Sequence, residues 1–139
     1  MQSLLYYVVL VLSLLLNTVL ANAQDTTRHA VLGPVQTQLD AYNTGDLERF
    51  LSAYADTVRV YNYPNEFRYQ GKAEMRQRYG RMFANSPGLH CRLVGRQVMG
   101  NRVLDHESVQ WSAGGTPSEV IAIYTVANGR ITEVRFLRP

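Results

Sequence analysis

Asn128-Gly129 separates two segments, Glu119–Val126 and Ile131–Leu137, in which side-chain character alternates with a period of two. An Asn-Gly pair supplies the two positive-φ residues of a type I′ turn, whose twist matches that of paired strands, so this stretch reads as an antiparallel hairpin. Gly100-Asn101 repeats the arrangement between Leu89–Met99 and Arg102–Trp111. The C-terminal half is therefore a sheet of consecutive hairpins, joined by the Gly- and Pro-containing loop Ser112–Ser118.

The preceding half has the helical period instead. Pro34 is placed to open a helix carrying Val35, Leu39 and Tyr42 on one face. Gly45 stops it, and Asp46 is a natural N-cap for a second helix with the stripe Leu47, Phe50, Leu51 and Tyr54. Thr57–Tyr63 reads as a strand, with Val58, Val60 and Asn62 on one face and Arg59, Tyr61 and Tyr63 on the other; Pro64 ends it. A loop containing Asn65, Glu66 and Arg68 leads to Gly71. From Lys72 to Ala84, Met75, Tyr79, Met82 and Phe83 share a helix face, and Glu74 and Arg78 form a favourable i,i+4 pair. The order ααβαββββ predicts an α+β domain, with helices covering one side of a mostly antiparallel sheet. In the last hairpin Ile121, Ile123, Val134 and Phe136 are expected to face the core, and Ala122, Tyr124, Glu133 and Arg135 to oppose them.

At 139 residues, 46% of them apolar and 18% charged, the chain has room for one domain and is too apolar to be disordered. A net charge of +3 is a weak signal for a polyanionic partner. A single cysteine, Cys91, excludes an intrachain disulfide and reads as a small buried hydrophobe. Met1–Ala23 carries no charged side chain, is almost wholly apolar from Leu4 to Leu20, and ends in Ala21-Asn22-Ala23, the small-x-small pattern of a signal peptidase site. The expected organisation is a signal peptide over 1–23, a polar lead-in over 24–34 and a domain over 35–138. Cleavage near Ala23 predicts an exported chain, periplasmic or secreted, with no stable membrane anchor.

Asp40-Ala-Tyr-Asn-Thr-Gly-Asp-Leu-Glu-Arg-Phe50, then Tyr54-Ala55-Asp56 running into Val58-x-Val60 and Pro64, resembles the opening of a nuclear transport factor 2-like domain. Gly71-Lys72-Ala73-Glu74, Gly100-Asn101 and Asn128-Gly129-Arg130-Ile131 fit as well, and the closest likeness is to the SnoaL-like group, often named after steroid delta-isomerase. The resemblance covers about Val35 to Leu137. It implies a cone: three helices from the N-terminal half close a strongly curved, mostly antiparallel sheet around a mainly apolar pocket, and copies often dimerise through the sheet. Steroid isomerase chemistry needs a carboxylate base and an oxyanion hole built from a Tyr and a protonated Asp. The resemblance puts Asn62 at the base position, Gln38 at about the tyrosine position and Ala122 or Ile123 at the acid position. None of the three supplies the function, so that activity is not expected.

Asp105-His106-Glu107 is the densest titratable cluster. Alternation puts Asp105 and Glu107 on one face. A two-residue turn at Gly100-Asn101 sets Arg96 opposite Asp105 and Val94 opposite Glu107, which reads as a face of cross-strand ion pairs. His106 then points the other way and is the candidate general base of a lyase or cyclase. The candidate ligand pocket is Tyr42, Tyr54, Val58, Val60, Asn62, His106, Ile123, Val134 and Phe136, taking a small, largely apolar molecule. No metal-ligand spacing or phosphate loop is present, so no metal or other cofactor is expected, and the arginines between Arg59 and Phe83 read as a solvated rim rather than a nucleic-acid site. A third reading is a protein-interaction module using a sheet face with Arg96, Asp105, Glu107 and Trp111.

Overall fold

The computed structural model of the protein describes residues 2–139, with side chains from Tyr6 onward; Met1, the start of the expected signal, lies outside the described residues. The chain divides into two compact units, Met1–Ala30 and Val31–Pro139. Helix α1 (Gln2–Thr44) begins in the first. The side chains Tyr6–Leu20 are exposed there, and Ser13, Asn17 and Thr18 return their hydrogen bonds to helix carbonyls three or four residues back. This helix is long and apolar enough to cross a membrane by length and composition, a property that signal sequences share. Pro34 lies inside α1 rather than at its start. The polar lead-in is helical too: Thr26 and Thr27 cap the carbonyls of Asn22 and Ala23, which keeps short polar side chains compatible with helix.

In the second unit Val31, Val35 and Leu39 of α1 are buried at helical spacing. Gly45 ends the helix at φ +68°, and the Asp46 carboxylate accepts from Arg49 N at 3.0 Å, opening α2 (Leu47–Ser52) as the sequence predicts. α3 (Lys72–Asn85) buries Met75 and packs Tyr79 and Phe83 inward. Phe50 stacks on Tyr79 with ring centroids 4.3 Å apart and lies 5.0 Å from Tyr54. Burying each such ring contributes ~1.5–3 kcal/mol, so this aromatic cluster is a principal joint between helices and sheet.

The sheet has six strands: β1 (Tyr54–Asn62), β2 (Glu66–Gln70), β3 (His90–Met99), β4 (Arg102–Gln110), β5 (Ser118–Ala127) and β6 (Arg130–Leu137). Their order is β2-β1-β6-β5-β4-β3, antiparallel throughout except for β1 beside β6. The segment expected to be a loop, Glu66–Gln70, is strand β2. Its side chains are mostly exposed, so it lacks the half-buried alternation that marks a strand in sequence. Both hairpin turns form as predicted, pairing Met99 with Arg102 and Ala127 with Arg130; Asn128 and Gly129 adopt φ 52° and 68°.

The facing of the last hairpin differs from expectation. Val120, Ala122, Tyr124 and Val126 of β5 are buried, and Ile121 and Ile123 lie on the outer face. Phe136 pairs with Ala122 and Val134 with Tyr124, so they point inward with those residues, not with the isoleucines. The even-numbered positions of β5 carry no charge, whereas the isoleucines share their face with Glu119 and Thr125; the uncharged set goes inside.

Gly88 closes the turn between α3 and β3 at φ +83°, and a Cβ there would stand 2.7 Å from Ala113 N and Cα. Gly88→Ala is expected to cost about 2 kcal/mol or more, through backbone strain and displacement of the Ala113 loop, read as a lowered denaturant midpoint with an unchanged slope.

Candidate functional site

A bulge decides which groups meet inside. Arg96 faces Asp105 as the turn predicts, but the register shifts between Leu93 and Gly95, and Glu107 is opposed by Leu93 rather than Val94. The extra residue, Val94, is turned out to solvent, so Leu93 and Arg96 can both serve the inner side of β3. The ion-pair face inferred from sequence is therefore the buried face. Asp105 has no exposed surface, and Arg96 grips both its oxygens at 2.7 Å while donating to Gln36 of α1, also at 2.7 Å.

Glu107 points from β4 into a cavity of about 380 Å³ between the helices and the concave side of the sheet. The wall is mainly aromatic and aliphatic: Tyr42, Tyr54, Tyr69, Tyr79, Trp111, Tyr124 and Phe136 are its large rings. A hydrogen-bond chain crosses the buried end. Tyr54 Oη donates to Gln38 Oε1 at 3.4 Å, Gln38 Nε2 donates to Tyr124 Oη at 3.0 Å, and Tyr124 Oη donates to Glu107 Oε1 at 3.1 Å. Removal from water pushes Glu107 up from the ordinary glutamate value of 4.5 to about 7, and the neighbouring Asp105 charge adds to the effect; the Tyr124 hydroxyl opposes it. Near neutral pH the carboxyl is thus shared between acid and base forms, with Tyr124 engaging Oε1 and the Cys91 thiol also beside the group. Burial and the Glu107 charge raise the Tyr124 phenol far above its usual range, and burial, with Glu107 second, does the same to the Cys91 thiol. Neither is a nucleophile here.

Of the residues singled out in sequence, Tyr42, Tyr54, Val60, Asn62 and Phe136 line the cavity. Val58 and Val134 are buried in the core and do not line it. Ile123 and His106 are on the outer face, where His106 Nε2 pairs with Glu119. A general-base role for His106 inside the cavity therefore has no geometry: β4 turns its odd-numbered residues inward, and His106 alternates with Asp105 and Glu107. The sequence reading missed Glu107, Tyr124 and Trp111 as cavity residues. The signal was available, because Val103 and Val109 share parity with Glu107, whereas the His106 face offers Leu104, Ser108 and Gln110. Asn62 sits at the rim, donating to Glu66 at 3.0 Å and accepting from Arg138 at 3.2 Å.

Three helices closing a curved, mixed sheet over an internal cavity define a nuclear transport factor 2-like α+β cone. Residues 35–134 match the model of the SnoaL-like domain, and the chain belongs to that family. No curated protein matches it in sequence. Among solved structures it is similar to an uncharacterised cystatin-fold protein from Novosphingobium aromaticivorans (26% identity, 78% of this chain and 97% of that one, TM-score 0.71). It is also similar to an NTF2-like protein from Cytophaga hutchinsonii (15%, 78% and 89%, TM-score 0.66). A third similar fold is an LEH-like epoxide hydrolase from M. tuberculosis (21%, 82% and 85%, TM-score 0.66).

The Glu107 environment sets a pH dependence. Its folded-state value lies above the unfolded one, so the native state holds the extra proton between pH 4.5 and about 7, and stability falls as pH rises through that window. Glu107→Gln, which mimics the neutral form, should remove that fall and be more stable than the parent above pH 7, by on the order of 3 kcal/mol. Asp105→Asn should move the Glu107 midpoint downward. Denaturation at several pH values, and titration of the Glu107 carboxyl by NMR, read the two effects.

Proposed function

We propose that this is an exported SnoaL-like domain whose cavity takes a small, largely apolar molecule and addresses one of its oxygens through Glu107. The observation that carries the reading is a carboxyl with a value of about 7, held by Tyr124 at the buried end of an aromatic-lined cavity. Protonated, Glu107 donates to a carbonyl or hydroxyl oxygen; ionised, it accepts. Steroid isomerisation finds no support, since Asn62 cannot take a proton from carbon.

A second reading is an enzyme in which Glu107, not His106, is the general acid or base. A carboxyl balanced near neutral pH favours it, because such a group gives and takes protons at comparable cost. Export rests on the uncharged apolar segment ending at Ala21-Asn22-Ala23. Pairing of two copies through the sheet is supported by the partly exposed Leu104, Ile121 and Ile123 on its outer face.

Native mass spectrometry of the protein purified gently from its own source tests these together. The expected species is a dimer of chains beginning at Gln24, each carrying a reproducible small-molecule mass. Glu107→Gln should keep that mass if the domain only binds, and should accumulate an unturned-over substrate if it is an enzyme. An empty protein with an intact N-terminus would overturn both binding and cleavage.

A further inference from the structure

Three arginines, Arg68, Arg78 and Arg138, are the only cations lining the cavity among the described residues, and all three are exposed. Two stand over its aromatic wall: Arg78 Cζ is 4.7 Å from the centre of the Tyr69 ring, and Arg138 Cζ is 4.9 Å from that of Phe136. They differ in what they already hold. Arg68 is paired with Glu66 at 3.1 Å and Arg78 with Glu74 at 2.8 Å. Arg138 pairs with no carboxylate among the described residues; its one side-chain hydrogen bond goes to the neutral Asn62 Oδ1 at 3.2 Å. A guanidinium has five in-plane donors, and stacking on a ring occupies its face but not its edge. Arg138 therefore keeps an unused, directed cationic edge, held by Phe136 beneath and Asn62 beside it.

We infer that the cavity is built for an amphipathic monoanion, with an apolar body against the aromatic wall and a carboxylate, or an anion of like geometry, on the edge of Arg138. This deepens the proposed function and rests on it. Arg78 and Arg68, already neutralised, shape the rim without adding a second full charge, so a single anionic group is matched and a dianion is not. The other end of the ligand meets Glu107, which in its neutral form adds no repulsion.

The probes are 3-benzoylpropionate and its primary amide, which share an aryl ketone and differ in charge. Binding to the full chain in a nonionic detergent is read from fluorescence of Trp111, the single tryptophan, which lines the cavity. The carboxylate should bind about tenfold or more tightly than the amide, ~1.4 kcal/mol, and the advantage should shrink as salt is raised. Arg138→Gln should abolish the difference, so that acid and amide bind alike, while Arg138→Lys should keep part of it. Equal binding of acid and amide, or an Arg138→Gln protein that still prefers the acid, would overturn the anion inference and leave the cavity reading standing. Failure of both probes to bind would sink the cavity reading and the inference with it.

Discussion

Asp105 is a carboxylate with no solvent contact at all, and the interior is arranged around what that requires. An unpaired charge at such depth costs several kcal/mol, more than most single contacts return. Arg96 meets the requirement with two 2.7 Å bonds, one to each oxygen. It reaches that place through the regular register set by the Gly100-Asn101 turn, and the bulge at Val94 beyond it brings Leu93 opposite Glu107 on the same inner face. Through Gln36 the same guanidinium ties the sheet to α1. The pair holds a negative charge two residues from Glu107, on the same face of β4. That charge and the apolar wall together keep the Glu107 carboxyl protonated to about pH 7. Burial is the larger cause, the Asp105 charge adds to it, and Arg96 opposes it.

How far the sequence discloses this depends on the range over which each signal acts. The Gly45 stop, the Asp46 cap, the Glu74–Arg78 pair and both hairpin turns are local, and they form where the residues place them, whereas the helix expected to open at Pro34 starts earlier. The family resemblance extends that local reading to the whole cone. Which face of a strand is buried is not local. Hydrophobicity alone favours Ile121 and Ile123 for the core, yet Ala122 and Tyr124 occupy it, because Tyr124 has Gln38 and Glu107 to satisfy its hydroxyl there. Likewise Asp105 and Glu107 read as a solvent face until Arg96 and Tyr124 are known to meet them. Where polar groups are buried for chemistry, binary patterning inverts, and the strands that carry the site are the ones it misassigns.

The resemblance supplies a scaffold without the isomerase's parts at their expected positions. The structure nonetheless contains a neutral-prone carboxyl beside a tyrosine, on β4 and β5 rather than at Ala122 or Ile123. Glu107 is the only carboxyl lining the cavity among the described residues. Moving a proton between carbons requires a base that takes it while an acid steadies the developing oxyanion. One carboxyl cannot hold both roles at the same moment. With one carboxyl in the cavity among the described residues, this inventory differs from the carboxylate base plus protonated acid that the isomerase reaction requires.

The polarity of the cavity also has a direction. At its rim stands Arg138, which no carboxylate neutralises among the described residues, and at its buried end a carboxyl kept largely uncharged below pH 7. Between them lie rings whose faces are weakly negative and whose edges are weakly positive, and these favour apolar matter of either shape. Were Glu107 ionised, the two ends would be a cation and an anion facing one another across a low-dielectric gap, and the cavity would suit a zwitterion. Below pH 7 burial, with the Asp105 charge adding to it, holds Glu107 mostly in its acid form, and among the described residues Arg138 is then the uncompensated charge of the cavity. The charge balance of the cavity thus depends first on the burial of Glu107 and second on Asp105, which never touches the cavity.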